Sequence, residues 1–315
     1  MSNVRNPVEG MAAVTPTVRK PLDGFAVTLM VTLCLIWGLQ QVAIKVAAPS
    51  VAPVMQIAIR SGIAAVMVAL FMLARNIPIF NRDRTLWPGL AAGALFALEF
   101  MLIALGLGYT TASHMSVFLY TQPIFTTLGL HIFVPGERMG RLQWVGVFVA
   151  FLGVVVAFSH GFIVAEGEYP YMWVGDILGT VAGFLWGMTT VVIRSTTLSE
   201  IEPTKTLLYQ LVVASVGIFA LAWYMGVATI HSMTALAWAS MTYQVLVVGF
   251  FSLMAWFWLL RRYLASRMSV FTFLTPVFGV FFGVWLLDEP LTLAFIVGSL
   301  LILIGIVLVN LPRRR

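Results

Sequence analysis

Ten stretches of about 20 apolar residues, joined by short polar turns, leave most of this chain only lipid as a solvent. They cover about 24–46, 52–74, 86–107, 112–133, 143–160, 173–195, 205–226, 236–260, 265–286 and 291–310. A helix needs roughly 20 residues to cross a hydrocarbon core of about 30 Å. With 61% hydrophobic and 10% charged residues, the chain cannot cover a water-exposed surface with polar side chains. That balance excludes a soluble domain, a disordered chain and a nucleic-acid binder, despite a net charge of +6. The runs are apolar all round, so they predict helices that satisfy their own backbone and not barrel strands. Residues 1–23 are polar and hold no cleavable signal, so they predict a flexible cytoplasmic tail, as residues 311–315 predict a basic one.

Basic residues are placed unevenly. Of the 18 Lys and Arg, all but Lys45 and Arg60 fall in the N-terminal tail, in or beside the turns after the second, fourth, sixth and eighth runs, or at the C-terminus. The opposite turns carry Glu166, Glu168, Asp288 and Glu289. Lys and Arg concentrate on the cytoplasmic side of membrane proteins, so both termini are predicted to be cytoplasmic.

The chain also repeats itself. Ile36-Trp37-Gly38 with Lys45 returns as Leu185-Trp186-Gly187 with Arg194, 149 positions on. Ala112-Ser113-His114-Met115-Ser116-Val117-Phe118 with Pro123 returns as Ala265-Ser266-Arg267-Met268-Ser269-Val270-Phe271 with Pro276, 153 positions on. The fold predicted is an all-α integral membrane protein of ten transmembrane helices in two five-helix repeats, 24–160 and 173–310. Five is odd, so the second repeat must enter the membrane inverted. Inverted repeats are a common plan of secondary transporters, with the substrate site near mid-depth between them.

These motifs resemble the drug/metabolite transporter superfamily, EamA family, and within it the bacterial aromatic amino-acid exporters. The likeness is carried by Trp37-Gly38 with Lys45, Arg60, Tyr109-Thr110-Thr111-Ala112-Ser113, Pro123, Gly136-Glu137-Arg138 and Gln143-Trp144-Val145-Gly146. Trp186-Gly187, Pro276 and Asp288-Glu289-Pro290 continue it through the second half. Gln40-Gln41 depart from the pattern, as does Gln210 where Arg60 would recur. The resemblance implies a single-chain exporter of small metabolites in the bacterial inner membrane, without ATP or any cofactor. The sequence agrees in having no Gly-rich phosphate cradle.

Charges at membrane depth are costly and face a cavity or a partner. Arg60 and Glu99 fall at similar depth in the second and third runs. Either they hold the carboxylate and amine of a zwitterion, or Glu99 carries a coupling proton, or the two neutralise each other, or Arg60 bonds a helix end. Trp37, Gln41 and Lys45 share one stripe of the first run. Ser113, Ser116, Tyr120, Thr127 and His131 form a polar stripe about Pro123, with Gln122 beside it. Pro123 and Pro276 each free a backbone carbonyl at mid-span, and such paired breaks point to a binding region. Trp37, Trp186, Tyr120, Tyr243, Trp256 and Trp258 lie within runs and offer ring faces to an apolar or aromatic amino acid. Gly175, Gly179, Gly183 and Gly187 recur every fourth residue and predict a close helix contact. Four scattered histidines (His114, His131, His160, His231) lack metal spacing, so no metal is expected.

The expected function is export of small neutral and aromatic amino acids by alternating access between the repeats, in contact with the lipid bilayer. Sugar phosphates or nucleotide sugars are the competing cargo, but they favour several buried cations and only Arg60 is clearly buried. An intramembrane enzyme would need clustered acids or histidines, which the sequence does not provide.

Overall fold

A computed structural model describes residues 19–80, 84–110, 112–159, 170–287 and 292–311, and every regular element in it is helical. The elements are α1 (Gly24–Ala47), α2 (Pro53–Ala74), α3 (Leu86–Gly106), α4 (Ala112–Leu119), α5 (Gln122–Phe133) and α6 (Arg141–Ala157). They continue as α7 (Met172–Ser195), α8 (Pro203–Tyr224), α9 (Ala235–Tyr243), a π-helical stretch (Gln244–Ser252), α10 (Leu253–Arg262), α11 (Ala265–Phe271), α12 (Leu274–Leu287) and α13 (Leu293–Asn310). Among the described residues, eight helices are long and apolar enough to cross a membrane. They correspond to eight of the ten expected runs, with α9 to α10 counted as one span over Ala235–Arg262 and the interrupted pair α11 and α12 as one over Ala265–Leu286. The fourth and fifth runs form shorter apolar helices, Val117–Phe133 and Arg141–Ala157.

Local chemistry sets where the helices start and stop. The Asp23 side chain accepts from the Ala26 amide at 2.9 Å and caps α1. Pro53 and Pro203 open α2 and α8, where a missing N–H costs nothing. α2 ends at Asn76 with φ 53°, and Ile77 N–H reaches back to the Met72 carbonyl at 2.8 Å. α8 ends at Gly226 with φ 68°, and Val227 N–H reaches the Ala222 carbonyl at 3.0 Å. Both are left-handed closures of the kind Gly and Asn favour. The starts and the stops of these two helices are each 150 positions apart, so the repeat extends to helix ends.

Packing follows the same symmetry. The first run packs on the ninth and the fourth on the sixth; the third packs on the sixth and the first on the eighth; the third packs on the seventh and the second on the eighth. The second also meets the seventh, the fourth the ninth and the fifth the tenth. Replacing each run by its counterpart five places away returns the same set of pairs.

Glycines allow the closest approaches. A Cβ on Gly146 would lie 2.7 Å from the Gly305 carbonyl oxygen, and one on Gly153 2.6 Å from that of Gly298. The ascending number on α6 meets the descending number on α13, so these two helices run antiparallel. Without a hydrophobic drive between helices in lipid, such backbone contact supplies the association energy. Outward faces stay apolar: Val66, Leu70, Leu300 and Val307 are exposed, as lipid requires.

Candidate substrate site

Two broken helices meet at the centre. α4 stops at Leu119 and α5 restarts at Gln122, one residue before Pro123; α11 stops at Phe271 and α12 restarts at Leu274, two residues before Pro276. Proline cannot donate to the preceding turn, so each chain breaks there. Gln122 is fully buried; its amide donates to Thr126 Oγ1 at 2.7 Å, and its Oε1 lies 3.4 Å from Thr272 Oγ1, whose proton goes chiefly to the Ser269 carbonyl at 2.6 Å. The two breaks therefore meet side chain to side chain.

The sixth run cradles the first break. A Cβ on Gly183 would lie 2.6 Å from the Leu119 carbonyl oxygen and 2.7 Å from Thr121 Oγ1. One on Gly175 would meet Thr110, one on Gly179 Met115 and Phe118, and one on Gly187 Phe125 and the Thr126 amide. The four glycines thus track the fourth run turn by turn. Gly38, the counterpart of Gly187, meets Phe278 and Gly279 of α12 in the same way. Cys34, the counterpart of Gly183, donates its thiol to the Phe271 carbonyl at the second break, 3.2 Å away.

Aromatic pairs flank the breaks. Tyr120, 7% exposed, meets Trp186 edge-on with ring centroids 5.9 Å apart. Trp37 meets Trp256 edge-on at 5.6 Å and donates its indole N–H to Ser252 Oγ at 3.0 Å. Tyr243 donates its hydroxyl to the Ile36 carbonyl at 2.8 Å. The Thr275 hydroxyl lies beside the Cys34 thiol and the Tyr120 phenol.

Arg60 and Glu99 are buried within Coulombic reach of each other, and the Glu99 charge also reaches Tyr120. Arg60 stands 5.7 Å from the Phe100 ring centroid and packs against Gly249 of the π-helical stretch. Arg60 Nη1 and Glu99 Oε2 are shielded from solvent and make no hydrogen bond among the described residues. A buried donor and a buried acceptor left open are expensive and call for a partner.

One aromatic residue of the runs lies apart from the others, and several predicted side chains fall outside the described residues. Trp258, read from the sequence only as one of the rings within runs, lies under the Arg262 guanidinium at 4.3 Å and against Phe25 and Tyr263, all near helix ends. That is the interfacial setting indoles favour. The side chains of Gln41, Ser113 and Ser116 lie outside the described residues, as do Glu166, Glu168, Asp288 and Glu289.

Several polar groups were given no role from sequence. Gln244 donates to Gln56 Oε1 at 2.7 Å, and Gln56 donates to the Ile44 and Val51 carbonyls. Glu137 pairs with Arg194 near one end of the bundle. A glutamine inside an apolar run was the available signal for the first. Among the described residues no group of three His, Cys, Asp or Glu could hold a metal. An open apolar groove of about 680 Å³ between α12 and α13, lined by Phe281, Trp285, Phe295 and Leu300, contains none of the predicted site residues.

A multi-pass helical bundle with paired mid-span breaks, ring-lined and holding a buried cation and acid within Coulombic reach of each other, has the construction of a membrane transporter. The profile of the EamA-like transporter family matches residues 24–159 and 173–311, and the chain belongs to that family. The chain is 25% identical over 278 residues to the uncharacterized transporter YoaV of Bacillus subtilis, covering 88% of this chain and 94% of that one. It is 28% identical over 292 residues to a probable amino-acid metabolite efflux pump of Escherichia coli, covering 90% and 93%. A solved crystal structure superposes with a TM-score of 0.74 at 17% identity, covering 90% of this chain and 97% of that one.

Proposed function

We propose that this chain exports small neutral and aromatic amino acids across the bacterial inner membrane by alternating access between two inverted repeats. The observation that carries the reading is the open valence on Arg60 and Glu99 beside a ring-lined centre. A zwitterion supplies what both lack: its carboxylate accepts from Arg60 and its ammonium donates to Glu99. The Tyr120, Trp186, Trp37 and Trp256 rings suit an apolar or aromatic side chain. A relative's printed name as a probable amino-acid metabolite efflux pump supports the same cargo.

Inversion of the repeats is supported by the antiparallel contact of α6 with α13 and by the exchange symmetry of the helix pairs. With both termini in the cytoplasm, the ends carrying Arg75, Arg194 and Arg261 face inward. Rocking of one repeat against the other then exposes the Gln122–Thr272 junction to each side in turn. Glu99 is the proposed site of a coupling proton.

The test is uptake into liposomes holding the purified chain, screened across the twenty amino acids with and without a pH gradient. Saturable uptake of aromatic and small neutral amino acids, lowered in Trp37→Ala, Tyr120→Ala and Glu99→Gln, is expected. Sugar-phosphate uptake without amino-acid uptake would replace the cargo; unchanged uptake in all three variants would move the site elsewhere.

A further inference from the structure

Glu137 is 2% exposed although it sits in a one-turn connection, Pro135–Glu137, between two membrane helices. Its carboxylate gathers four donors: the Arg194 guanidinium, the Ala265 amide at 3.0 Å, the Ser266 amide at 3.1 Å and the Ser266 hydroxyl at 2.8 Å. Arg194, 3% exposed, turns its other terminal nitrogen to the Leu260 carbonyl at 2.7 Å. Glu137 belongs to the first repeat, and its hydrogen-bond partners among the described residues belong to the second, at the ends of the sixth and ninth runs; Arg19, ahead of α1, lies within Coulombic reach of both Glu137 and Arg194. Leu260, which Arg194 holds, ends the eighth.

The position of this cluster matters more than its strength. α5 leads from the first break towards Glu137, and α11 leads from Ala265 to the second break. α11 has seven residues, so the point that Glu137 grips is about 10 Å along the axis from Thr272. The same two helices pack against each other and meet at Gln122 and Thr272. Any movement that parts the breaks from this end must first part Glu137 from Arg194, Ala265 and Ser266. A dry ion pair adds little net stability, because desolvation offsets attraction, but losing one partner carries a heavy penalty. Such a contact is either fully made or fully broken, which suits a two-state element.

We propose that Glu137 and Arg194 form a latch that closes this end of the bundle and governs access to the breaks from that side. The proposal rests on the carrier reading and adds to it the residues that set which side is shut. It uses neither Arg60 nor Glu99.

The experiment uses the full chain with Cys34→Ala and a reporter cysteine, Thr272→Cys. Reaction of the reporter with a membrane-impermeant maleimide is timed in vesicles of each orientation. With the latch intact, labelling from the latch side is slow. Glu137→Gln removes the charge that Arg194 meets and is expected to speed labelling from that side by about tenfold or more, with the other side not accelerated. An equal rate in a variant that stays monodisperse overturns the proposal.

A second arm covers a variant that fails to fold. Glu137→Cys with Ser266→Cys, in the Cys34→Ala background without the reporter, is bridged by a short bis-methanethiosulfonate reagent. Bridging is expected to stop amino-acid counterflow, and dithiothreitol to restore it; counterflow that continues while bridged overturns the latch. Should no amino acid move in any variant, the carrier reading fails, while the labelling arm still decides whether the latch closes the end.

Discussion

Gly183→Ala sets two small effects of opposite sign against each other, and the structure decides between them. In an unobstructed helix, alanine is favoured over glycine by about 0.8–1 kcal/mol. Gly217 in α8 is such a position, because its added Cβ would meet only Ala97 Cβ at 3.5 Å, an ordinary contact. At Gly183 the added Cβ would sit 2.6 Å from the Leu119 carbonyl oxygen and 2.7 Å from Thr121 Oγ1. Neither atom can swing aside easily. Leu119 O is backbone, and Thr121 Oγ1 is held by its own bond to the Phe118 carbonyl at 2.6 Å. α7 must therefore back away from the break, and overpacking of this kind costs about 1–3 kcal/mol. The net expectation is a loss of about 0–2 kcal/mol at Gly183 and a gain approaching 1 kcal/mol at Gly217. Thermal unfolding of the two variants in the same detergent reads the difference, and counterflow reads its consequence. Gly217→Ala should melt above the parent and transport normally, while Gly183→Ala should melt below Gly217→Ala and transport poorly. If the two melt together and both transport, the close contact at the break is not what holds α7 in place.

Other substitutions follow from single contacts. Trp37→Phe keeps a ring facing Trp256 but strands the Ser252 hydroxyl without its indole donor, and should cost about 0.5–1.5 kcal/mol in thermal unfolding with partial loss of transport. Arg60→Gln should raise the half-saturating concentration for a zwitterion more than that for its amine lacking the carboxylate; an equal effect on both would remove Arg60 from carboxylate recognition. Asp23 titrates outside the membrane helices. The Ala26 amide, and next the Tyr263 hydroxyl, hold its carboxylate below the ordinary range. A depressed folded value means the contribution is present above the unfolded pKa of about 3.9 and is lost as pH falls through the lower folded value. The gap in melting temperature between the parent and Asp23→Asn should accordingly narrow as pH drops towards about 3; a gap that widens there contradicts the assignment.

The helices were legible because lipid allows few alternatives to a continuous apolar run. The breaks were legible because proline removes a donor wherever it falls, and Pro123 and Pro276 fall inside runs. The glycine stripe of the sixth run could be read as a close contact, though its partner, the broken fourth run, could not. Glycine spacing states that something comes near without saying what. Ring pairing was equally hidden. That Trp37 faces Trp256 and Tyr120 faces Trp186 depends on how far each helix is rotated, and packing of neighbours sets that rotation. Trp258 shows the limit from the other side. It stands two residues from Trp256, but a helix turns such neighbours to different faces, and Trp258 goes to the Arg262 end. The π-helical stretch Gln244–Ser252 had no signature in the residue pattern, yet it places Gly249 against Arg60. Glu137 and Arg194 could be read only as motif and repeat residues, because sequence cannot show that a turn is buried.

The claim at the centre of this account is that one closed site is presented to each side of the membrane in turn. Counterflow measures that directly. Liposomes bearing the purified chain are loaded with an unlabelled aromatic amino acid and diluted into a trace of the labelled one. The account predicts a transient accumulation of label above equilibrium that saturates with internal concentration and is absent from empty vesicles. Label that enters at the same rate whether or not the vesicles are loaded, alongside an ion conductance, would contradict it.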